Sequence, residues 1–154
     1  MKFNELINII NFQGELIKES GSFNTKLVKG YEHNKKTFSK IQKELVLEPL
    51  QNKKFELALV GQHKEILINE KGNYLFDKEG YKQIEEFSKE LTEQIVDFEF
   101  YKTKFTQLTD SEKALFFNIE ENTYSITLNK DTYLALQNFI SDLPEKNFDD
   151  EDLE

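Results

Sequence analysis

Two residue types are missing from this chain of 154 residues: cysteine and arginine. Without cysteine there is no disulfide, no thiolate nucleophile and no cysteine-ligated zinc or iron–sulfur site. Because all twenty basic side chains are lysines, the chain also lacks the planar guanidinium group that binds phosphate, carboxylate or guanine in a bidentate way. The missing arginines therefore argue against direct sequence-specific nucleic-acid binding.

Long apolar runs are also lacking. No stretch approaches the roughly 20 apolar residues that a membrane-spanning helix needs. The first residues, MKFNELINIINFQ, carry Asn and Glu where a signal peptide would be continuously apolar. Val, Ile, Leu and Phe nevertheless make up 48 of the 154 residues, well above the roughly 20% that is typical of disordered chains. We expect a soluble protein with an aromatic-rich core and no membrane association.

Residues that could carry catalysis are few. The only histidines, His33 and His63, belong to no spaced metal-binding motif. Isolated glycines cannot form a phosphate-binding loop, and no Gly-x-Ser-x-Gly sequence is present. Acidic residues are so numerous that no particular pair stands out as a catalytic dyad. The sequence predicts that the protein is not an enzyme and has no catalytic residue, cofactor or metal.

The first third of the chain predicts two helices joined by a short turn. Residues 3–19 have apolar side chains at helical spacing, and Glu19–Asn24 contains turn residues. The next helix places its apolar residues on one stripe that also includes Asn34: Leu27, Tyr31, Phe38, Ile41 and Leu45. These helices are expected to form an antiparallel hairpin, and Pro49 is expected to interrupt the second of them.

The pattern after Pro49 is mixed. Residues 50–67 fit a helix or a strand, and the spacing of the leucines favours a helix. A β-hairpin is predicted around Lys71-Gly72-Asn73, because Gly and Asn tolerate the positive φ of tight turns. Asp77 is expected to cap a helix whose buried stripe contains Tyr81, Ile84, Phe87 or Ser88, and Leu91.

The last third predicts three further kinds of element. The alternating sequence from Val96 to Phe100 predicts a half-buried strand. Thr109 and Glu112 have the spacing of a capping box at the start of a short helix. A second hairpin is predicted to turn at Glu121-Asn122. A last helix is predicted to be capped by Asp131, to present Tyr133, Leu136, Phe139 and Ile140, and to end at Pro144.

These elements predict an α+β fold: an N-terminal antiparallel helical hairpin followed by a mixed half with two β-hairpins and two or three helices. We expect one domain over residues 1–144, a candidate subdomain junction near residues 48–50, and a flexible acidic tail over residues 145–154. No internal repeat is evident in the sequence.

Charge is distributed unevenly along the chain. Residues 1–54 carry ten lysines and six acidic residues, a net charge of +4, whereas residues 55–154 carry ten lysines and twenty-three acidic residues, a net charge of −13. Opposite charge at two ends can orient a protein toward a partner or toward a second copy, or it can simply be solvated. Candidate partner contacts are the tail residues and the lysines of the second helix: Phe148, Asp149, Asp150, Glu151, Asp152, Lys29, Lys36, Lys40 and Lys43.

The order of these elements resembles a family of small uncharacterised proteins encoded by tailed bacteriophages. The similarity covers residues 1–100 and consists of an N-terminal helix, the lysine-bearing helix NTKLVKGYEHNKKTFSKIQKEL, the turn in NEKGNYLF, the acidic helix YKQIEEFSKEL and the closing strand IVDFEF. The resemblance supplies no catalytic residues. It implies a phage accessory or virion protein, located in the host-cell cytoplasm or in the virion.

Two functions follow as expectations. The first is a non-enzymatic interaction protein that binds a protein partner or a second copy of itself. The alternative is an acidic mimic of nucleic acid, which occupies the basic channel of a host nucleic-acid-binding or defence protein.

Overall fold

The computed structural model describes residues 1–125 and 128–146. Its helices and short strands confirm the α+β class. The chain separates into two compact units: unit 1 comprises Met1–Asn4 and Phe38–Val96, and unit 2 comprises Glu5–Thr37 and the described residues from Asp97 onward. The candidate junction near residues 48–50 therefore lies inside unit 1.

The N-terminal helices match the prediction. Helix α1 spans Phe3–Ser20 and α2 spans Lys26–Gln42, and both contribute to each unit. Within unit 1 the rings of Phe3 and Phe38 stack with centroids 5.6 Å apart. This pairing of the first turn of α1 with the last turns of α2 is the antiparallel arrangement expected for a helical hairpin.

Unit 2 holds the larger apolar core. The remaining elements of this unit are β1 (Thr103–Lys104), a 3₁₀ turn (Phe105–Gln107), α5 (Asp110–Lys113), β2 (Phe117–Asn118), β3 (Thr123–Tyr124), α6 (Lys130–Leu136) and β4 (Ile140–Ser141). Strand β1 pairs in parallel with β4, and β2 pairs antiparallel with β3. The core brings together side chains from α1, α2 and these later elements: Leu16, Leu27, Phe105, Leu108, Phe116, Phe117, Leu128, Leu136, Phe139 and Ile140.

Two predictions in unit 2 are confirmed. The capping box of α5 is present, with the Thr109 side chain accepting from the Glu112 amide and the Glu112 carboxylate accepting from the Thr109 amide. The second hairpin turns through Asn122, whose φ is +55°. Local side-chain chemistry was sufficient to identify both features.

The strand predicted from Val96 to Phe100 is not formed. Val96 N donates to Met1 O at 2.8 Å, but this pairing does not continue along the segment, and the strand of this region is β1, which begins at Thr103. Asn34 of α2 instead supplies hydrogen bonds to the backbone just after the predicted strand. Tyr101 N donates to Asn34 Oδ1 at 2.7 Å, and Asn34 Nδ2 donates to Tyr101 O at 3.1 Å.

The last helix also differs from its prediction. Its N-cap is Asn129, whose side chain accepts from the Thr132 amide at 2.8 Å, and not Asp131. The helix ends at Leu136, well before Pro144, so that Phe139 and Ile140 are buried from a turn and from β4. An asparagine side chain accepts from the free N–H groups of the first helical turn as an aspartate does, and Asn129 lies two residues before the predicted cap.

In unit 1 the helical path passes through Pro49 without a break. A π-helical turn, Lys43–Leu47, follows α2 and leads directly into α3 (Glu48–Leu57), where Pro49 occupies the first turn. Pro49 has no N–H to donate, and the π turn before it changes the spacing of the backbone hydrogen bonds, since the Glu48 amide donates to the Lys43 carbonyl five residues earlier. The π turn inserts an extra residue into the stripe. Val46 is therefore buried, whereas Leu45, predicted to face the core, is 38% exposed.

Residues 58–76 form a small repeat that sequence reasoning missed. The backbone N–H groups of Leu59, Leu67 and Leu75, spaced eight residues apart, donate to the carbonyls of Leu75, Leu59 and Leu67 at 2.9, 2.9 and 3.1 Å. The three segments thus form a closed ring of hydrogen bonds. The connections at 61–65 and 69–73 have the same pair of backbone hydrogen bonds. The predicted hairpin at Gly72 is the second of these turns, and the helix favoured for residues 50–67 ends at Leu57.

Helix α4 (Lys78–Glu93) completes unit 1. Asp77 caps it as predicted, with Oδ1 accepting from the Gly80 amide at 2.7 Å. Its predicted buried stripe is not buried. Gly80 is the only buried residue of this helix, Tyr81 is 54% exposed, and the other stripe positions are half-buried.

Candidate interaction surfaces

The lysines predicted as partner contacts lie on exposed positions. Lys29 and Lys36 are exposed on α2 within unit 2, and Lys40 and Lys43 are exposed in unit 1 at the end of α2 and in the π turn. Lys43 Nζ lies 4.0 Å from Glu48 Oε1, and both side chains are solvated. An exposed ion pair of this kind contributes little to stability, so it leaves Lys43 accessible to a partner.

The tail residues predicted as partner contacts lie outside the described residues. These are Phe148, Asp149, Asp150, Glu151 and Asp152. Residues 147–154 carry five acidic side chains and no lysine. More than half of the net charge of −9 therefore belongs to this segment, since the described residues sum to −4.

Both histidines are exposed. The His33 ring lies 5.2 Å from the Tyr101 ring within unit 2, and the His63 amide donates to Glu65 Oε2 at 2.8 Å within unit 1. Among residues 1–125 and 128–146, no three His, Asp or Glu side chains are grouped so that they could hold a metal ion. A search of the same residues finds no helix with the length and apolarity required to cross a bilayer.

One carboxylate of unit 2 is almost fully buried. Glu112 is 1% exposed, and each of its oxygens accepts a hydrogen bond: Oε1 from the Thr109 amide at 2.8 Å and Oε2 from Thr25 Oγ1 at 2.9 Å. A buried carboxylate is costly unless it is hydrogen-bonded. These bonds join the turn before α2 to the turn before α5, so Glu112 has a structural role within this unit.

Exposed apolar side chains are concentrated in unit 1. Of the twelve large apolar side chains that are exposed among the described residues, eight belong to unit 1: Met1, Leu45, Leu47, Phe55, Val60, Ile68, Tyr81 and Ile95. Of the sixteen buried apolar side chains, only Phe3, Phe38, Val46 and Val96 belong to it. Unit 1 thus exposes most of its large apolar side chains in this comparison, whereas unit 2 buries most of its own. Where such side chains are contiguous, they can form a binding surface.

The face formed by α3 and α4 contains a groove with a volume of about 600 Å³. We call it the α3–α4 groove and define it by its lining residues: Leu50, Lys54, Tyr81, Ile84, Glu85, Ser88, Lys89 and Thr92. Two further depressions adjoin it. One shares Lys54 and extends to Phe76, and the other shares Tyr81 and Glu85 and includes Lys82. The three together form one continuous, partly apolar surface within unit 1.

No protein-family model, no curated protein and no solved structure matches the chain.

Proposed function

We propose that the chain is a non-enzymatic interaction protein, a phage accessory or virion component, that binds a protein partner through unit 1. The observation that supports the proposal is the unequal distribution of apolar side chains: unit 1 buries four and exposes eight large ones, whereas unit 2 buries twelve and exposes four. Covering exposed apolar area with a partner gains about 25 cal/mol per Å² removed from water. A unit with this surface is stabilised by a partner.

Site-specific photo-crosslinking in the source cell tests the proposal. A photoreactive amino acid replaces Tyr81 in the α3–α4 groove or, as a matched control, Leu134 in unit 2, which is exposed to a similar extent (54% and 48%). The expected result is one discrete crosslinked protein at position 81 and none at position 134. Mass spectrometry of purified particles then distinguishes a virion component from an accessory protein. Equal labelling at both positions would contradict a partner site in unit 1.

The second candidate function is that of an acidic mimic of nucleic acid. The charge distribution supports an action of this kind through the tail. Because residues 147–154 hold five of the nine excess negative charges, mimicry would act mainly through the tail. A chain ending at Leu143 should then lose competition with DNA for a basic target, and competition by the full chain should weaken steeply with salt. Unchanged competition after truncation would assign the effect to the folded surface instead.

A further inference from the structure

We infer that the α3–α4 groove binds an amphipathic helix of a partner protein whose polar edges are acidic. This inference rests on the proposed function and specifies the chemistry of the partner. Two independent features of the described residues support it. The face formed by α3 and α4 has almost no buried residue, and its local charge is opposite in sign to that of the rest of the chain.

The face formed by α3 and α4 has almost no buried residue. Helix α3 has no buried residue, and α4 buries only Gly80. Tyr81, Ile84, Ser88 and Thr92 follow one another along α4 at intervals of three and four residues, so they share a face of this helix. Two helices that present such a face can accept a third helix, which is the helix-in-groove mode of peptide recognition.

Tyr81 is suited to anchor such a helix. Its ring packs edge-to-face against Phe76 with centroids 5.3 Å apart, and yet 54% of the residue is exposed. A tyrosine held by a neighbouring ring loses little conformational freedom on binding, and tyrosine is enriched among residues that dominate interface energies. The small side chains of Ser88 and Thr92 lie further along the groove. They leave room there for the partner's larger apolar side chains.

The charge of this face indicates the sign of the charge on the partner. The α3–α4 groove and its two adjoining depressions contain Lys54, Lys78, Lys82 and Lys89 but only Glu79 and Glu85, a local net charge of +2. The rest of unit 1 has six lysines and nine acidic residues, a net of −3. Complementary charge directs association and excludes like-charged partners. The occupant is therefore acidic along the edges that meet these lysines.

Two synthetic helical peptides and the full chain test the inference. Both peptides are about 18 residues long, roughly five helical turns, with the same leucine stripe, and their edges carry only Glu or only Lys. Fluorescence anisotropy at about 50 mM salt measures their affinities. The acidic peptide should bind about tenfold more tightly than the basic one, and the difference should shrink as salt shortens the Debye length.

Charge-reversal variants identify the surface responsible. Lys54→Glu combined with Lys89→Glu should abolish or reverse the preference. The matched control, Lys29→Glu combined with Lys36→Glu, changes exposed lysines of unit 2 and should retain it. Tyr81→Ser should weaken both peptides, because it removes the apolar anchor. Thermal unfolding followed by circular dichroism establishes that each variant is folded.

Three outcomes would overturn the inference: equal affinity for the two peptides, a preference that survives the groove variant, or a dimer in light scattering that Tyr81→Ser dissociates. The last outcome would make a second copy the occupant. The proposed function fails separately, since it depends on crosslinking at position 81 in the cell, whatever the charge of the partner.

Discussion

The Asn34 side chain forms two hydrogen bonds with the backbone of Tyr101: its Oδ1 accepts from the Tyr101 amide at 2.7 Å, and its Nδ2 donates to the Tyr101 carbonyl at 3.1 Å. Asn34 is fully buried, and its Nδ2 also lies 3.3 Å from Gln13 Oε1. The side chain of a helical residue thus satisfies backbone groups that a neighbouring strand would otherwise pair. This relationship explains how the segment just before β1 is fixed within unit 2 without pairing to a strand.

Asn34→Ala should lower the free energy of unfolding by about 2–4 kcal/mol, because it removes three hydrogen bonds and leaves backbone groups of Tyr101 unpaired. Urea denaturation followed by circular dichroism measures the change. The matched control is Asn11→Ala, at an exposed position of α1, where the helix propensity of alanine should prevent any loss. Similar losses at both positions would contradict the role assigned to Asn34.

Glu112→Ala should destabilise the chain by about 2–4 kcal/mol, since it leaves the Thr109 amide and the Thr25 hydroxyl without their acceptor. Glu112→Gln keeps one carbonyl oxygen at the site and should cost less. The two variants are compared by urea denaturation with Glu120→Ala, which changes an exposed carboxylate of the same unit. A glutamine variant as unstable as the alanine variant would show that the geometry of the hydrogen bonds has been assigned wrongly.

The features of this fold that could be predicted from the sequence are mostly local ones, such as helix caps and turns. The Asp77 cap, the Thr109–Glu112 capping box and the turn at Asn122 depend on side chains within a few residues of one another, and all three are present. The strand expected from Val96 to Phe100 failed, because whether an extended segment joins a sheet depends on distant partners. The α3–α4 groove was missed for the same reason: the apolar period of α4 predicts a buried stripe whether or not the chain supplies a cover.

The π turn changes which residue at the end of α2 faces the core, and substitutions at Leu45 and Val46 test this change. Val46→Ala should lower the free energy of unfolding by about 1.5 kcal/mol, because it removes two buried carbons that contribute about 0.8 kcal/mol each. Leu45→Ala, at the neighbouring position that α-helical spacing places in the core, should cost less, because Leu45 is 38% exposed and Val46 is 7% exposed. Chemical denaturation of the two variants decides the register, and a larger loss at Leu45 would contradict the π turn.

The hydroxyl of Tyr124 donates to the Pro144 carbonyl, which also accepts from Tyr133 at 3.3 Å. Burial, and then the neighbouring Tyr133, raise the pKa of Tyr124 well above its usual value. A raised pKa means that the folded state favours the protonated phenol. The stabilisation is therefore fully present below about pH 10, the pKa of an unfolded tyrosine, and is lost as the pH rises toward the folded pKa.

Spectrophotometric titration should show one tyrosine that ionises above the usual range near pH 10, or only on unfolding. Tyr124→Phe removes that late transition and should make stability less dependent on pH between about pH 10 and 11. Tyr101→Phe is the matched control, because Tyr101 is 53% exposed and its loss should leave the late transition unchanged. If the Tyr124→Phe chain retained the late transition, the delayed ionisation would belong to another tyrosine, and the burial of Tyr124 would not be its cause.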